Sequence, residues 1–242
     1  MEIIPAILVK SYEDLKQKIA LVRGLVQVVQ IDICDGIFVP SRTWPFFDRA
    51  IKGTPFLDNN LDEHFKNIIN EEEGMPFWED IDFELDLMVV DAVSNFDIYT
   101  KLGAKRVIFH LEAEGNVEEF RDFLEGIDMY TRDAMNIGVA IGPNASMDDV
   151  FLIAPHIDFI QCMGINKIGF QGEVFDEKCL ENIRTIRKKF PEMTISVDGG
   201  VNMENAPEII KAGANRLVAG SAIFKQDDIK GGIDDFNNLF YN

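Results

Sequence analysis

The chain has 242 residues, 47% of them hydrophobic and 27% charged, with a formal net charge of −19. This length suits one barrel-sized domain or two small ones, and the apolar content excludes a disordered chain. The acid excess and the lack of a basic stripe argue against nucleic acid as a partner. No apolar run reaches the roughly 18 residues of a membrane span. The charge serves solubility, so an anionic substrate is expected to be held by backbone dipoles rather than by a positive field.

Residues 2–9 form a short, apolar, β-like run. The N-terminus opens almost at once on this strand, without a charged-then-apolar leader. Residues 12–23 carry Leu15, Ile19 and Val22 at helical spacing behind Ser11, a fair N-cap. Residues 28–33 read as the second strand, ending in Cys34-Asp35-Gly36. Residues 41–80 are the least regular part, with Pro45, Pro55, Pro76, the triplet Glu71-Glu72-Glu73 and a predicted helix over 61–69. Residues 83–89 make a third strand, and a helix over 95–102 closes on Gly103.

The fourth strand covers 106–111 and its helix 117–130. The fifth covers 137–141, followed by Gly142-Pro143 and a helix over 147–153. The sixth covers 159–165, followed by the loop Gly169-Phe170-Gln171-Gly172 and a helix over 177–190. Residues 194–197 and 216–219 are strands seven and eight, with an amphipathic helix between them from Ala206, and residues 233–240 form a closing helix.

Eight strands alternating with helices predict a single parallel (β/α)8 barrel over 1–242, with an open doubly wound sheet as the alternative. Several strands are continuous apolar runs, as parallel strands covered on both faces must be. The segment 46–80 is insertion-like and too short for its own core. Its aromatics Phe46, Phe47, Phe56, Phe65, Phe77 and Trp78 require burial, so it is expected to cover the barrel mouth or a subunit contact.

The stretch 195–224 organises the chemistry. An apolar run ends in Asp198-Gly199-Gly200, and a second ends in Gly220-Ser221. In a parallel barrel, phosphate binds on backbone N–H groups after the last two strands. Gln30 and Asp32 are two apart on strand two and share a side. Asp86 and Glu84 do the same on strand three, and Asp198 ends strand seven. Gln30 and Asp86 have a plainer reading as hydrogen-bonded interior polars. Asp32 and Asp198 have few such uses, because an unpaired buried charge is strongly unfavourable. Two facing carboxylates suit proton removal from one face of a carbon and return on the other, as in epimerisation next to a carbonyl. The oxygen set Gln30, Asp32, Asp86 and Asp198 suits a hard divalent cation, magnesium or manganese rather than zinc.

Other reactive residues say less. His110, with Glu112 two residues on, ends strand four, in packing or at the mouth. His64 and His156 fall in irregular segments and are expected to be solvated. Lys167 is a Schiff-base candidate only if its pKa were depressed. Cys34, Cys162 and Cys179 lack metal-type spacing and point to a reduced cytoplasm. Cys34 reads as a small core residue beside the pocket.

On these motifs the chain resembles the ribulose-phosphate 3-epimerase family. The similar stretches are Ile31-Asp32-Ile33-Cys34-Asp35-Gly36-Ile37-Phe38-Val39-Pro40, Leu85-Asp86-Leu87-Met88-Val89, Phe109-His110-Leu111-Glu112, Val197-Asp198-Gly199-Gly200-Val201 and Val218-Ala219-Gly220-Ser221-Ala222-Ile223-Phe224. The resemblance implies that Asp32 and Asp198 are the acid/base pair and also touch the metal. It also implies that Gly172, Gly199, Gly200, Gly220 and Ser221 surround a phosphate. The chain departs from the family at Gln30 and Asp86, where the family has metal-binding histidines. It departs again at Ala6, where the family has a substrate serine, and at Cys34, where it has methionine. The strand-six loop and the segment from about 46 to 80 are longer than usual.

The reading is therefore a sugar-phosphate epimerase or isomerase acting on a ketose phosphate, cytoplasmic, with a homo-oligomer possible. Its rivals are a lyase or aldolase of the same barrel using Lys10 or Lys167, and a non-catalytic phosphometabolite-binding protein.

Overall fold

The strands form because their residues are apolar on both faces, and a parallel strand buried on both faces satisfies its backbone only by pairing on both edges. The computed structural model describes residues 1–47, 62–170 and 172–240. In chain order these form β1 (Glu2–Ile7), α1 (Tyr12–Val22), β2 (Val28–Cys34), α2 (Glu63–Ile69), β3 (Asp82–Met88), α3 (Phe96–Thr100), β4 (Arg106–His110), α4 (Val117–Gly126), α5 (Met129–Ala134), β5 (Asn136–Ile141), α6 (Met147–Ile153), β6 (Phe159–Met163), α7 (Lys178–Lys189), β7 (Thr194–Asp198), α8 (Ala206–Ala212), β8 (Arg216–Ala219), α9 (Ser221–Phe224) and α10 (Ile229–Leu239). The eight strands pair in sequence order and close into a barrel, all parallel, with Glu2 of β1 opposite Arg216 of β8. This is the (β/α)8 barrel expected from the alternation of elements.

The main core lies between the barrel's outer surface and the helices. Ser11 caps α1 by accepting from the Asp14 N–H at 3.1 Å, and α1 buries Tyr12, Leu15, Ile19 and Val22. The helix expected over 117–130 is two helices. The chain breaks at Ile127, and Asp128 starts α5 by accepting from the Tyr130 and Thr131 N–H groups. The closing helix begins earlier than expected, because Asp228 caps Gly231 N–H and carries the chain through Gly231-Gly232.

In the segment expected to be insertion-like, residues 48–61, including Phe56, lie outside the described residues. Of the described part, Phe46, Phe65, Ile68 and Met75, with Trp44 just before it, join the same core as α1. His64 stacks on Tyr12 with ring centroids 3.9 Å apart and bonds Glu73 through Nδ1 at 2.9 Å, so it is half-buried and partnered rather than solvated. Two aromatics expected to be buried are not: Phe47 is 37% exposed and Trp78 61%.

Inside the barrel, polar and apolar layers alternate. At the floor Arg106 reaches Glu84 at 3.3 Å and Glu2 at 3.1 Å, and Arg216 lies over the Phe159 ring at 4.9 Å. Above it Ile108, Ala140, Phe159 and Met163 form a small apolar cluster. Gly138 makes room for Phe159, since a Cβ at Gly138 would lie 2.3 Å from the ring. Gly138→Ala should destabilise the protein by about 1–3 kcal/mol through overpacking. Phe159→Leu in the same chain should recover part of that loss, and denaturant unfolding of the two single variants and the double variant measures the coupling.

Candidate active site

At the carboxyl end of the barrel the parallel register sets Asp32 of β2 directly opposite Asp86 of β3, and Asp198 ends β7. The β2 terminus is held by side chain to backbone bonds. Thr43 Oγ1 donates to the Asp32 carbonyl at 2.7 Å and accepts from the Cys34 N–H at 2.8 Å. The buried Asp35 carboxylate accepts from the Ile37, Phe38 and Val90 N–H groups at 2.7–2.9 Å, tying the β2 loop to the end of β3.

The Gln30 amide stands between the two candidate acids. Its Nε2 donates to Asp32 and to Asp198, each at 2.8 Å. Asp86 is gripped from the other side. His110 Nε2 donates to its Oδ1 at 2.7 Å, and Gln161 Nε2 donates to its Oδ2 at 3.2 Å. His110 is therefore a buried partner of Asp86. Burial works against its charged form, but the Asp86 charge and hydrogen bond outweigh that and raise its pKa. Reading the sequence missed Gln161. The signal was a lone amide inside the apolar run of β6, since a buried polar group needs a partner.

The acids hold their protons unusually well. Burial, then the charges of Asp198 and Asp86, push Asp32 well above the carboxylate range, with the Gln30 bond opposing. Burial, then Asp86, push Asp198 up to about 7, offset in part by Gln30 and the Gly199 N–H. One oxygen from each of Asp32, Asp86 and Asp198 lies within 4.8 Å of the others, a spacing at which a single divalent cation reaches all three. The Oε1 atoms of Gln30 and Gln161 are buried without a partner among the described residues, so two amide oxygens are free beside the carboxylates. This all-oxygen set fits a hard cation.

Asp32 and Asp198 open onto a cavity of about 240 Å³ that is also lined by Gly172, Gly199, Gly200, Gly220 and Ser221. All the residues expected around a phosphate therefore meet in one cavity with both candidate acids. Ala6, standing where a serine was expected, is in the same lining, whereas Cys34 is buried against Val39 and Met88. The β6–α7 loop is tied to β7 by the Gly164 N–H, which donates to the Asp198 carbonyl at 2.6 Å. Gly200 has φ +70°, and a Cβ there would lie 2.9 Å from the Phe175 backbone, so only glycine fits the turn. Asn205 and Asn202 donate to the Gly200 carbonyl at 2.9 and 3.2 Å and hold that turn. Lys167 is exposed, Lys10 lies over the Phe47 ring at 5.0 Å, and neither lines the cavity.

A family model described as the ribulose-phosphate 3 epimerase family matches residues 56–224, a span that holds Asp86 and Asp198 and begins after Asp32. A ribulose-phosphate 3-epimerase of Eremothecium gossypii is 29% identical over 229 residues, 94% of this chain and 88% of its own length. One of Bacillus subtilis is 28% identical over 242 residues, 97% of each chain. Among solved structures, a 3-hexulose-6-phosphate synthase of Salmonella typhimurium superposes with a TM-score of 0.65 at 14% identity, over 100% of this chain and 99% of that one, a likeness of fold alone.

The raised acids make a sign-specific prediction for stability. A carboxyl that binds its proton more tightly when folded stabilises the fold below its unfolded pKa of about 4 and loses that contribution as pH rises through the folded value. With Asp198 at about 7, the stability of the protein in chelator should decline between about pH 4 and 7. Asp198→Asn should flatten that decline and be the more stable protein at pH 8. Thermal melts across this range, repeated with excess magnesium, read the effect, and an unchanged slope in the variant would contradict it.

Proposed function

This chain belongs to the ribulose-phosphate 3-epimerase family, and from that premise we propose that it is a sugar-phosphate epimerase that moves a proton at the carbon next to a ketose carbonyl. The observation that supports this most is the convergence of Asp32 and Asp198 on one cavity, bridged by the Gln30 amide, with the glycine turns of β7 and β8 in the same lining. In this reading Gly172, Gly199, Gly200, Gly220 and Ser221 take the phosphate and so place the reacting carbon between the acids.

Two carboxyl groups with raised proton affinity share protons near neutral pH, so one is ionised while the other is protonated. The ionised one takes the proton from the α-carbon, and the electron pair moves onto the carbonyl oxygen to give an enediolate. The protonated one returns a proton to the opposite face and inverts the carbon. The two acids end with their protonation exchanged, and Gln30, donating to both, keeps their spacing in either state.

Asp32, Asp86 and Asp198 would hold a divalent cation, magnesium or manganese before zinc on an oxygen-only donor set, whose charge would neutralise the enediolate. Gln30 would join them with its amide turned to present Oε1, since its Nε2 faces the acids. His110 and Gln161 orient Asp86 for that role. The partner is then a small sugar phosphate, and a cytoplasmic location and one barrel domain over 1–242 belong to the same reading. Among the described residues no helix is long and apolar enough to cross a membrane. A Schiff-base lyase would need an amine at the reacting carbon, and neither Lys10 nor Lys167 lines the cavity.

Incubation of pentulose and hexulose phosphates in deuterated buffer, followed by NMR, tests the proposal. The protein should exchange the α-proton of at least one of them. Asp32→Asn and Asp198→Asn should each lower the rate by about 10² to 10⁴-fold, the usual contribution of a general acid or base, while still binding phosphate. No exchange on any of these substrates, with or without magnesium or manganese, would refute the epimerase and leave the binding protein.

A further inference from the structure

Nineteen of the described residues line the 240 Å³ cavity, and none of these is lysine or arginine, whereas Asp32, Glu173 and Asp198 bring negative charge to its wall. Backbone N–H groups would have to hold a phosphate dianion against those charges and against a chain of net charge −19. A cation stands beside the cavity, however. A Cβ built at Gly172 would lie 3.8 Å from Lys225 Nζ, and Gly172 is part of the cavity wall.

Lys225 is well placed to hold that position. It follows α9, and its N–H donates to the Ser221 carbonyl at 3.2 Å, so its side chain leaves the backbone one turn from the Gly220-Ser221 end of the site. Arg121 and Lys230 are committed to Asp122 and Asp234, while Lys225 has no ion pair among the described residues. Its ammonium is exposed, with three N–H donors available.

We propose that Lys225 is a substrate-binding residue that pairs with the phosphate group across Gly172 and selects for a dianion. This rests on the reading of the glycine-lined cavity as the phosphate site and adds a side-chain charge to it. The ammonium offsets Glu173 and makes a charge-assisted hydrogen bond, which is stronger than a neutral one. An exposed lysine acting through charge also makes binding sensitive to salt. Because the contact is made equally in the ground and transition states, its loss should raise KM rather than lower kcat.

Titration of inorganic phosphate, by calorimetry or by thermal shift, tests this in the full-length protein. Lys225→Gln should weaken phosphate by about tenfold, consistent with loss of one charge-assisted bond, and should reduce the salt dependence. Lys225→Arg should keep most of the affinity. Lys230→Gln makes the same change in net charge away from the cavity and should leave affinity unchanged. If Lys225→Gln binds phosphate as the parent does while Gly200→Val loses binding, the cavity is the phosphate site and the role of Lys225 is refuted. An equal loss in Lys230→Gln would reduce the effect to net charge and also refute it. If the parent protein shows no phosphate binding, or Gly200→Val keeps it, the phosphate reading itself fails and takes this proposal with it.

Discussion

Three carboxylates within 4.8 Å of one another at the end of a closed barrel are the constraint that the rest of the site answers. Like charges at that spacing, removed from water, are strongly unfavourable. The barrel meets the problem with donors: the Gln30 amide for Asp32 and Asp198, and His110 with Gln161 for Asp86. What these donors leave uncompensated is expressed as retained protons, with Asp198 shifted up to about 7. The same surplus of negative charge would favour a divalent cation. Proton exchange and cation binding are thus two answers to one electrostatic problem.

The floor of the barrel solves the same problem differently. There Glu84 is as buried as the acids above, and burial raises it to about 7 against the pull of Arg106 and Arg216. Its compensation comes from guanidinium groups, shared with Glu2. At the mouth a fixed arginine would block both the proton exchange and the cation. The neutral amide of Gln30 orients two carboxylates without neutralising either.

How far the sequence could be read follows from the same physics. The strands were legible because both faces are buried, which leaves little but apolar residues between the turns. The acids at strand ends were legible because charge in an apolar run needs a reason. Gln161 carried that signal in weaker form, as a lone amide in β6, and was passed over. The break between α4 and α5 was also present, in Asp128 as a cap, but the apolar spacing continues across it. The grip of His110 on Asp86 was not legible, since it depends on the register of β3 with β4, which pairs Leu87 with Phe109. Lys225 left no trace, because an exposed lysine after a short helix looks like any other surface charge until Gly172 is brought to it.

Gln30 and Asp86 set the character of the mouth. Both offer an oxygen donor, and Asp86 adds a charge. A set of carboxylates and amides is harder than one with imidazoles and would favour magnesium or manganese over zinc. The added charge at Asp86 also enters the proton balance of Asp198, where it is the second cause of the upward shift after burial. The donor character and the acidity of the mouth therefore meet in one residue. His110, which bonds Asp86 directly and opposes its field at Asp198, couples them. A chain that kept Asp86 without a donor at position 110 would leave its buried carboxylate to the neutral amides of Gln161 and Gln30.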